Sequence, residues 1–416
     1  MTLVKNKKLW LILIPAVLIL LAGVYCLFRF WPSAAPVQTG WIQEEGAIRY
    51  LDENGSPLLK WQRIDGYDYY FHPESGIVLT GWQDIDGERY YFNENGIRQS
   101  QWLTLGEKTY YLGQDGKAVS GLQTINDTLY YFDSEYAIAV GWQEIDGIRY
   151  LFRPDGTGVT GWHSVNDAKY FFDTDGKMCT GWLEWESKQY YLGDDGVMVT
   201  GWLTLGEDRY YFKEDGRMAI GEVVIDGISR FFTSTGKYVI MPNPWHPVPK
   251  DHEIDLVDIE GYEFDRKGRD PLQTMMNDCR DAGHVCEINN SYRSYNVQKW
   301  LWDDRVAKRM AEGMTYEEAC EYTARSVAYP GHSEHQTGLA VDITGTDEMY
   351  EWFYEHCWDY GFIVRYPEGK RPITGIIYEP WHFRYVGTEL SLELKELNLC
   401  MEEYMEMLTQ QQAAIA

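Results

Sequence analysis

Residues 40–241 are built from a repeat of 20 residues, once 21, and this periodicity limits the possible folds more than any other feature of the chain. In the unit that begins at Gly81, a tryptophan is followed by an Asp86-Gly87 pair and then by three consecutive aromatic residues. Asp-Gly between two short β-prone runs favours a type I′ turn, because both central residues of that turn need a positive φ. We therefore predict one β-hairpin per unit. The repeated tryptophans stand at positions 41, 61, 82, 102, 142, 162, 182 and 202.

Ten consecutive hairpins favour an all-β solenoid. A single two-stranded hairpin cannot bury enough apolar surface to be stable in water, so neighbouring units must stack on one another. Leu122 and Glu222 stand where the period would place a tryptophan in the two remaining units. The aromatic residues can serve purely as the core, or they can also form shelves that bind quaternary ammonium groups or sugars. Six tryptophans are candidate contacts for a cell-wall polymer: Trp82, Trp102, Trp142, Trp162, Trp182 and Trp202.

The repeats resemble the choline-binding and glucan-binding cell-wall repeats of Gram-positive surface proteins, over nearly half of the chain. That resemblance implies binding to a wall polymer, such as a teichoic acid or a glycan. The choline-binding pattern has an aromatic residue just before the Tyr-Tyr pair, whereas this chain has other residue types there. An arginine at that place would repel choline, so the wall ligand stays open. The residues concerned are Arg49, Arg89, Thr109, Leu129, Arg149, Lys169, Gln189 and Arg209.

An apolar run near the N-terminus predicts a transmembrane helix. Residues 9–30 are long enough, at about 1.5 Å per residue, to cross a hydrocarbon core of about 30 Å. Residues 1–8 contain several lysines, and a positively charged flank of this kind stays in the cytoplasm. We expect a single-pass protein of the cell membrane, with most of its chain outside the cell at the wall. A long signal peptide cleaved near Ser33 is the alternative.

Residues 242–416 lack the tryptophan period and predict a second domain, of the α+β class. This segment begins with several prolines, and helical and strand patterns then alternate. Gly313 and a capping box formed by Thr315 with Glu318 separate two of the predicted helices. The predicted helices cover residues 270–282, 295–311, 315–325 and 390–408. The predicted strands cover residues 339–343, 363–365, 376–378 and 382–386.

Two histidines and two acidic residues of this domain have the composition of a mononuclear zinc site: His335, Asp342, Glu379 and His382. Asp342 lies in an apolar run, where a buried carboxylate would be costly unless it were paired or bound to a metal. Each residue alone is more often structural than metal-binding. Their combination indicates a metal centre because of the complete pattern in which they stand. Two imidazoles and one carboxylate would leave an open fourth position for water.

The pattern Ser-x-His-x-x-Gly-x-Ala-x-Asp followed by Glu-x-Trp-His resembles the VanY-type D-alanyl-D-alanine carboxypeptidases and their relatives, which include dipeptidases and L,D-carboxypeptidases. The resemblance covers about residues 243–405. It implies that Zn²⁺ is bound by three ligands, that a glutamate is the catalytic base, and that Arg293 faces the substrate carbonyl. The ligands would be His335, Asp342 and His382, and the base Glu379. Gln298 and Ser333 are candidates for binding the peptide or its terminal carboxylate.

Together these features predict a zinc-dependent carboxypeptidase that removes the terminal D-alanine from peptidoglycan stem peptides. An L,D-carboxypeptidase or an endopeptidase of peptidoglycan is an alternative, because specificity depends on the loops around the pocket. A wall-binding adhesin with an inactive peptidase domain is a second alternative. The net charge of −27 argues against a nucleic acid partner, since phosphates require clustered Lys and Arg.

Overall fold

The computed structural model describes residues 36–415. The transmembrane helix predicted over residues 9–30 lies outside the described residues. Within residues 36–415, no helix has both the length and the apolar composition needed to cross a membrane.

Within the described residues, the repeat region forms ten antiparallel hairpins of five-residue strands, as the repeat predicts. One two-residue strand follows, Tyr238–Val239 (β21), which pairs with the last hairpin and makes it a three-stranded sheet. The strands of the ten hairpins are β1 Gly40–Glu44, β2 Ala47–Leu51, β3 Lys60–Ile64, β4 Tyr67–Phe71, β5 Gly81–Ile85, β6 Glu88–Phe92, β7 Gln101–Leu105, β8 Lys108–Leu112, β9 Gly121–Ile125, β10 Thr128–Phe132, β11 Gly141–Ile145, β12 Ile148–Phe152, β13 Gly161–Val165, β14 Ala168–Phe172, β15 Gly181–Trp185, β16 Lys188–Leu192, β17 Gly201–Leu205, β18 Asp208–Phe212, β19 Gly221–Ile225 and β20 Ile228–Phe232.

The turn chemistry explains the hairpins locally. Between β5 and β6, Asp86 has φ 55° and Gly87 has φ 85°. Both central residues are thus in the left-handed region that a type I′ turn requires. The turn sets the register in which Trp82 lies opposite Tyr91.

Aromatic side chains join successive hairpins within each of two compact units. One unit contains the hairpins up to Gly161 together with Phe172–Met178, and the other contains Trp162–Phe171 and the chain from Cys179 onward. In the first unit, the Trp82 ring lies 5.2 Å from that of Tyr91 in its own hairpin and 4.9 Å from that of Tyr110 in the next. In the second unit, Trp182 has the same two neighbours, Tyr191 and Tyr210, at 5.3 and 5.1 Å.

The C-terminal part is an α+β domain, as predicted. A short hairpin is followed by a four-stranded antiparallel sheet in the order β24-β25-β27-β26. The strands are β22 Leu256–Ile259, β23 Tyr262–Asp265, β24 Cys286–Asn290, β25 Ala340–Gly345, β26 Phe362–Val364 and β27 His382–Tyr385. The helices are α1 Arg266–Asp281, α2 Tyr295–Ala311, α3 Tyr316–Thr323, α4 Asp347–His356, α5 Arg371–Thr374, α6 Thr388–Leu397 and α7 Met401–Ile415, and 3₁₀ turns cover Glu334–Thr337 and Cys357–Tyr360.

Helices α1 and α4 pack against the sheet and enclose its main core. Leu272, Met275 and Met276 of α1 and Phe353 of α4 are fully buried against Val341 of β25. Side chains of β25 therefore alternate between the two faces of the sheet: Val341 faces the apolar core, and Asp342 faces the polar site. That alternation fixes the direction in which Asp342 points.

Two predicted elements are wrong. The strand expected over residues 376–378 is an irregular segment after α5, where the Thr374 hydroxyl bonds with the backbone of Ile376. The single helix expected over residues 390–408 is two helices, α6 and α7. Asn398, with φ 53°, ends α6 in the left-handed conformation that asparagine tolerates better than most residues.

Candidate metal and catalytic site

Two neighbouring strands bring the predicted metal ligands together. Asp342 on β25 and His382 at the start of β27 lie directly opposite each other in the sheet. His335 lies on the 3₁₀ turn that precedes β25, and Gly338 ends that turn with φ 76°. The motif glycine therefore occupies a backbone conformation that an L side chain would strain.

The nitrogen and oxygen atoms of the three residues converge. The Asp342 Oδ1 atom lies 2.9 Å from His382 Nδ1, and its Oδ2 atom lies 3.3 Å from His335 Nε2. All three ligand atoms lie within 4.8 Å of one another, and all three side chains are buried. The other nitrogen of His335, Nδ1, lies 2.6 Å from the Ser291 carbonyl oxygen, which leaves Nε2 to face the carboxylate.

These residues fit a zinc ion. Ligand atoms about 2.0–2.2 Å from zinc in a tetrahedron lie about 3.3–3.6 Å apart. The two contacts of Asp342, at 2.9 and 3.3 Å, are close to this spacing, and the remaining spacing within the 4.8 Å set would shorten around a bound ion. Burial lowers the pKa of His335 to about 4, so its imidazole is neutral at pH 7. Burial alone would raise the pKa of Asp342, but the two histidines hold it well below its usual range. Neutral imidazoles and an ionised carboxylate are the forms that bind zinc.

Glu379 lies beside the three ligands without being one of them. A turn after Pro380 brings it back to the site, with the His382 N–H donating to the Glu379 carbonyl at 3.2 Å. Its Oε2 atom lies 4.0 Å from His382 Nδ1. Burial raises the pKa of its carboxyl to about 7 and Asp342 adds to the rise, whereas His382 and Arg293 oppose it. A carboxyl of this kind can both accept and return a proton near neutral pH.

Arg293 completes the charged wall of the site. One of its terminal nitrogens lies 3.8 Å from Asp342 Oδ2, and the other donates to Gln298 Oε1 at 2.7 Å. Its Nε atom is buried and has no hydrogen-bond partner among residues 36–415. Arg293 therefore keeps donor capacity for a group that enters the site.

The structure places the two predicted substrate contacts differently. Ser333 lies on the wall of the cavity that contains the metal ligands. Gln298 is fully buried behind Arg293, and its amide donates to the Ala328 carbonyl at 2.6 Å. Gln298 thus orients Arg293, and its predicted contact with the peptide stays a prediction.

The ligands, Glu379 and Arg293 open into one cavity of about 420 Å³. This volume is within the range of sites that bind small molecules or short peptides, about 300–1,000 Å³. Helix α2 contributes Arg305 and Arg309 to the wall, and the opposite side contains Trp381. The cavity thus combines cationic and aromatic surfaces around the convergent ligands.

Two residues of the cavity wall, Glu334 and Tyr366, were not predicted from the sequence. Glu334 is almost fully buried and accepts hydrogen bonds from Arg365 Nε at 2.9 Å and from Arg384. The ring of Tyr366 lies 5.0 Å from that of His382, on the cavity wall. One signal was available for Glu334, because arginines within two apolar strand patterns require buried acidic partners. Tyr366 had none.

Four of the six candidate wall-binding tryptophans carry a cation of the chain over their ring. The Arg149 and Arg209 guanidinium carbons each lie 4.4 Å from the ring centre of the tryptophan in the same hairpin. These distances permit a cation–π contact, which already occupies the face that a quaternary ammonium group would use. The four pairs are Arg89 with Trp82, Arg149 with Trp142, Lys169 with Trp162 and Arg209 with Trp202.

The other two candidates differ. Thr109 and Gln189 stand where the capped hairpins have a cation, and no arginine or lysine of the described residues lies over Trp102 or Trp182. Trp102 and Trp182 are exposed, at 42% and 46%, whereas the four capped tryptophans are less exposed and fall in the half-buried range. The repeats therefore contain two kinds of aromatic shelf, capped and open.

The C-terminal domain is similar to known proteins. The VanY family, described as D-alanyl-D-alanine carboxypeptidase, matches residues 263–388. A D-alanyl-D-alanine carboxypeptidase of Enterococcus faecalis is 36% identical over 174 residues, which are 40% of this chain and 65% of the relative. A solved structure of VanYB in complex with D-alanine-D-alanine is also 36% identical, and the match covers 40% of this chain and 96% of that one, with a TM-score of 0.39. Residues 263–388 thus form a VanY-type domain.

The repeats that precede the VanY domain match a second family. Residues 79–120, 159–200 and 199–240 match the choline-binding repeat. The structure of CbpJ from Streptococcus pneumoniae is 23% identical and covers 56% of this chain and 99% of that one, with a TM-score of 0.36. The chain spans 65% of the length of the first two curated relatives that its VanY domain matches.

Proposed function

We propose that this chain is a zinc-dependent carboxypeptidase that removes the terminal D-alanine from peptidoglycan stem peptides. One observation carries the proposal: three side chains that can bind a metal converge in a cavity that also contains the buried Glu379 and the partly buried Arg293. The match of residues 263–388 to the VanY family and the names of the relatives support the same reaction. His335, Asp342 and His382 would hold the metal.

The chemistry follows from the roles of these groups. Zinc bound by the three side chains would act as a Lewis acid and would lower the pKa of a water molecule to about 7. Glu379 accepts a proton from the attacking water as its oxygen forms a bond with the peptide carbonyl carbon. The same carboxyl then returns the proton to the amine of the departing D-alanine as the C–N bond breaks.

Arg293 stabilises the charge that develops during this reaction. As the carbonyl oxygen becomes negative, the guanidinium can donate hydrogen bonds to it from a site shielded from solvent. Gln298 holds one edge of the guanidinium, so the side chain is oriented before the substrate binds. Ser333 lies where it can contact the peptide backbone or the terminal carboxylate.

The direct test uses the purified full chain with one equivalent of zinc and three substrates: a muramyl pentapeptide, a muramyl tetrapeptide and cross-linked peptide dimers. We expect release of free D-alanine from the pentapeptide, which ends in D-alanyl-D-alanine. Cleavage of the tetrapeptide instead would indicate an L,D-carboxypeptidase, and cleavage within cross-linked dimers would indicate an endopeptidase. A zinc-loaded chain that cleaves none of the three would contradict the proposal and favour the inactive, wall-binding alternative.

For the repeats, we propose a wall polymer as ligand, either a teichoic acid or a glycan, bound at the open shelves of Trp102 and Trp182. An exposed tryptophan flanked by tyrosines suits the stacking of a sugar or the binding of a cationic group. At the capped shelves, a cation of the chain already lies over the ring and would repel a second one. Holding the VanY domain close to its polymeric substrate would raise the effective substrate concentration.

Replacing Arg209 with Thr, the residue type at the equivalent position of the open Trp102 hairpin, should uncover Trp202. We expect choline to bind the variant about 2- to 30-fold more tightly at this shelf, the equivalent of one cation–π contact. Titration with choline, followed by tryptophan fluorescence, measures the change. Arg217→Thr is the matched control, because Arg217 pairs with Asp215. Equal responses from both variants would contradict the assignment of Arg209 as a cap.

We also propose that the chain is anchored in the cell membrane by residues 9–30, with the repeats and the VanY domain outside. The basic flank and the apolar run support this orientation. Fractionation of cells that express the full chain should recover it with membranes. Recovery of a shortened chain from the culture medium would indicate cleavage instead.

A further inference from the structure

Four charged side chains, three of them buried and one partly buried, form a network that begins beside the candidate ligand His335. Glu334 precedes His335 and accepts hydrogen bonds from Arg365 and Arg384. Arg365 in turn donates to both carboxylate oxygens of Glu402, at 3.0 and 2.7 Å. Two carboxylates and two guanidinium groups thus balance in charge, and the side chains of Glu334, Arg365 and Arg384 are almost completely buried.

Glu402 belongs to an element outside both family matches. It lies at the start of α7, whereas the VanY match ends at residue 388 and the repeat match at residue 240. Helix α7 is nevertheless part of a buried core, since Tyr404, Met405 and Leu408 pack with Phe231 of the last hairpin. The helix connects the last hairpin to the back of the metal site.

Direct hydrogen bonds secure α7 on the last hairpin. The Thr409 hydroxyl accepts from the Glu222 N–H at 2.8 Å, and the Tyr404 hydroxyl accepts from the Ser234 N–H at 3.0 Å. The position of Glu402 is therefore set by contacts of the helix rather than by Arg365 alone.

We propose that Glu402 is a positioning residue of the metal centre, which acts through Arg365 and Glu334 on the ligand His335. The inference rests on the proposed zinc site. Glu402 holds the guanidinium of Arg365, Arg365 holds the carboxylate of Glu334, and Glu334 fixes the 3₁₀ turn that carries His335. Loss of the Glu402 charge leaves two buried guanidinium groups with one carboxylate, which must then be shared.

Replacing Glu402 with Gln in the full chain tests this chain of contacts. We expect zinc affinity to fall about 10- to 100-fold, the usual effect of losing a group that orients a metal ligand. The turnover number should fall, while KM changes little because Glu402 does not line the cavity. Zinc affinity is measured by competition with a chromogenic chelator, without substrate.

Glu406→Gln is the matched control, because Glu406 lies one turn further along α7, is exposed and bonds with Gln410. Equal losses in the two variants, or unchanged zinc affinity in Glu402→Gln, would overturn the inference. If Glu402→Gln fails to fold, Glu402→Asp keeps the charge, shortens the side chain and is expected to weaken zinc binding in the same direction. Unchanged zinc affinity in that variant would also overturn the inference.

A double-mutant cycle shows whether Glu402 acts through Arg365. If it does, Arg365→Met/Glu402→Gln should bind zinc no more weakly than Arg365→Met alone. Fully additive losses would overturn the proposed route. Zinc binding is measured without turnover. If the chain binds zinc but cleaves no peptide, the proposed function is contradicted, whereas the effect of Glu402 on zinc affinity can still be tested.

Discussion

Replacing Glu379 with Gln is expected to lower the turnover number about 10²- to 10⁴-fold, the contribution of a well-placed general acid–base group. The amide has nearly the shape of the carboxyl but cannot accept the proton of the attacking water. Glu379 lies beside the ligand set without belonging to it, so the variant should keep its zinc. Steady-state kinetics on pentapeptide and metal analysis of the same sample measure both effects.

Glu368→Gln serves as the control, because Glu368 is exposed and lies outside the cavity lining. Its activity should equal that of the unaltered chain. If Glu379→Gln kept more than a tenth of the activity, another group would have to be the base. If it lost its zinc, Glu379 would be a ligand rather than a base.

Replacing Asp342 with Asn should remove zinc altogether at micromolar metal concentrations. Asp342 supplies the negative charge among the three ligands, and it lies between the two imidazoles. Groups that merely orient a metal ligand are worth about 10- to 100-fold in affinity, so the loss of a ligand charge should exceed about 100-fold. Dialysis against a limiting zinc buffer followed by metal analysis measures the loss, and activity on pentapeptide should disappear with the metal.

Asp359→Asn makes the same chemical change at an exposed position and should leave zinc binding unchanged. Excess zinc should not restore full activity to Asp342→Asn. Arg293 would lose the negative charge of its partner at 3.8 Å, and the site would gain net positive charge. Equimolar zinc in purified Asp342→Asn would show that the metal is held elsewhere.

Local chemistry made the hairpins predictable. Asp86 and Gly87 favour a turn whatever surrounds them, and the same signal recurs through the repeat. The candidate ligands were assigned from the motif that resembles the VanY-type carboxypeptidases, since His335, Asp342 and His382 are each unremarkable alone. The pairing of His382 with Asp342, 40 residues apart, is seen only in the folded sheet.

Contacts between distant segments were not predictable. Arg365 is separated by 31 residues from Glu334 and by 37 from Glu402, and no periodicity links the three. The expected helix over residues 390–408 also concealed its break, because Asn398 lies between two segments that both have helical patterns. Only the packed core determines that α7 turns back toward the last hairpin.

The contact between Gly221 and α7 has a consequence for how such proteins can be recombined. Helix α7 lies so close that a β-carbon on Gly221 would meet Thr409 at 2.7 Å, and Glu222 occupies the position that a tryptophan fills in most hairpins. An exchange of repeat arrays that cuts the chain near Met241 would remove the surface against which α7 packs. The segment that must be kept together therefore starts at Gly221 and includes the last hairpin, the VanY-type domain and α7. A junction placed before Gly221 would allow this segment to be fused to a different repeat array.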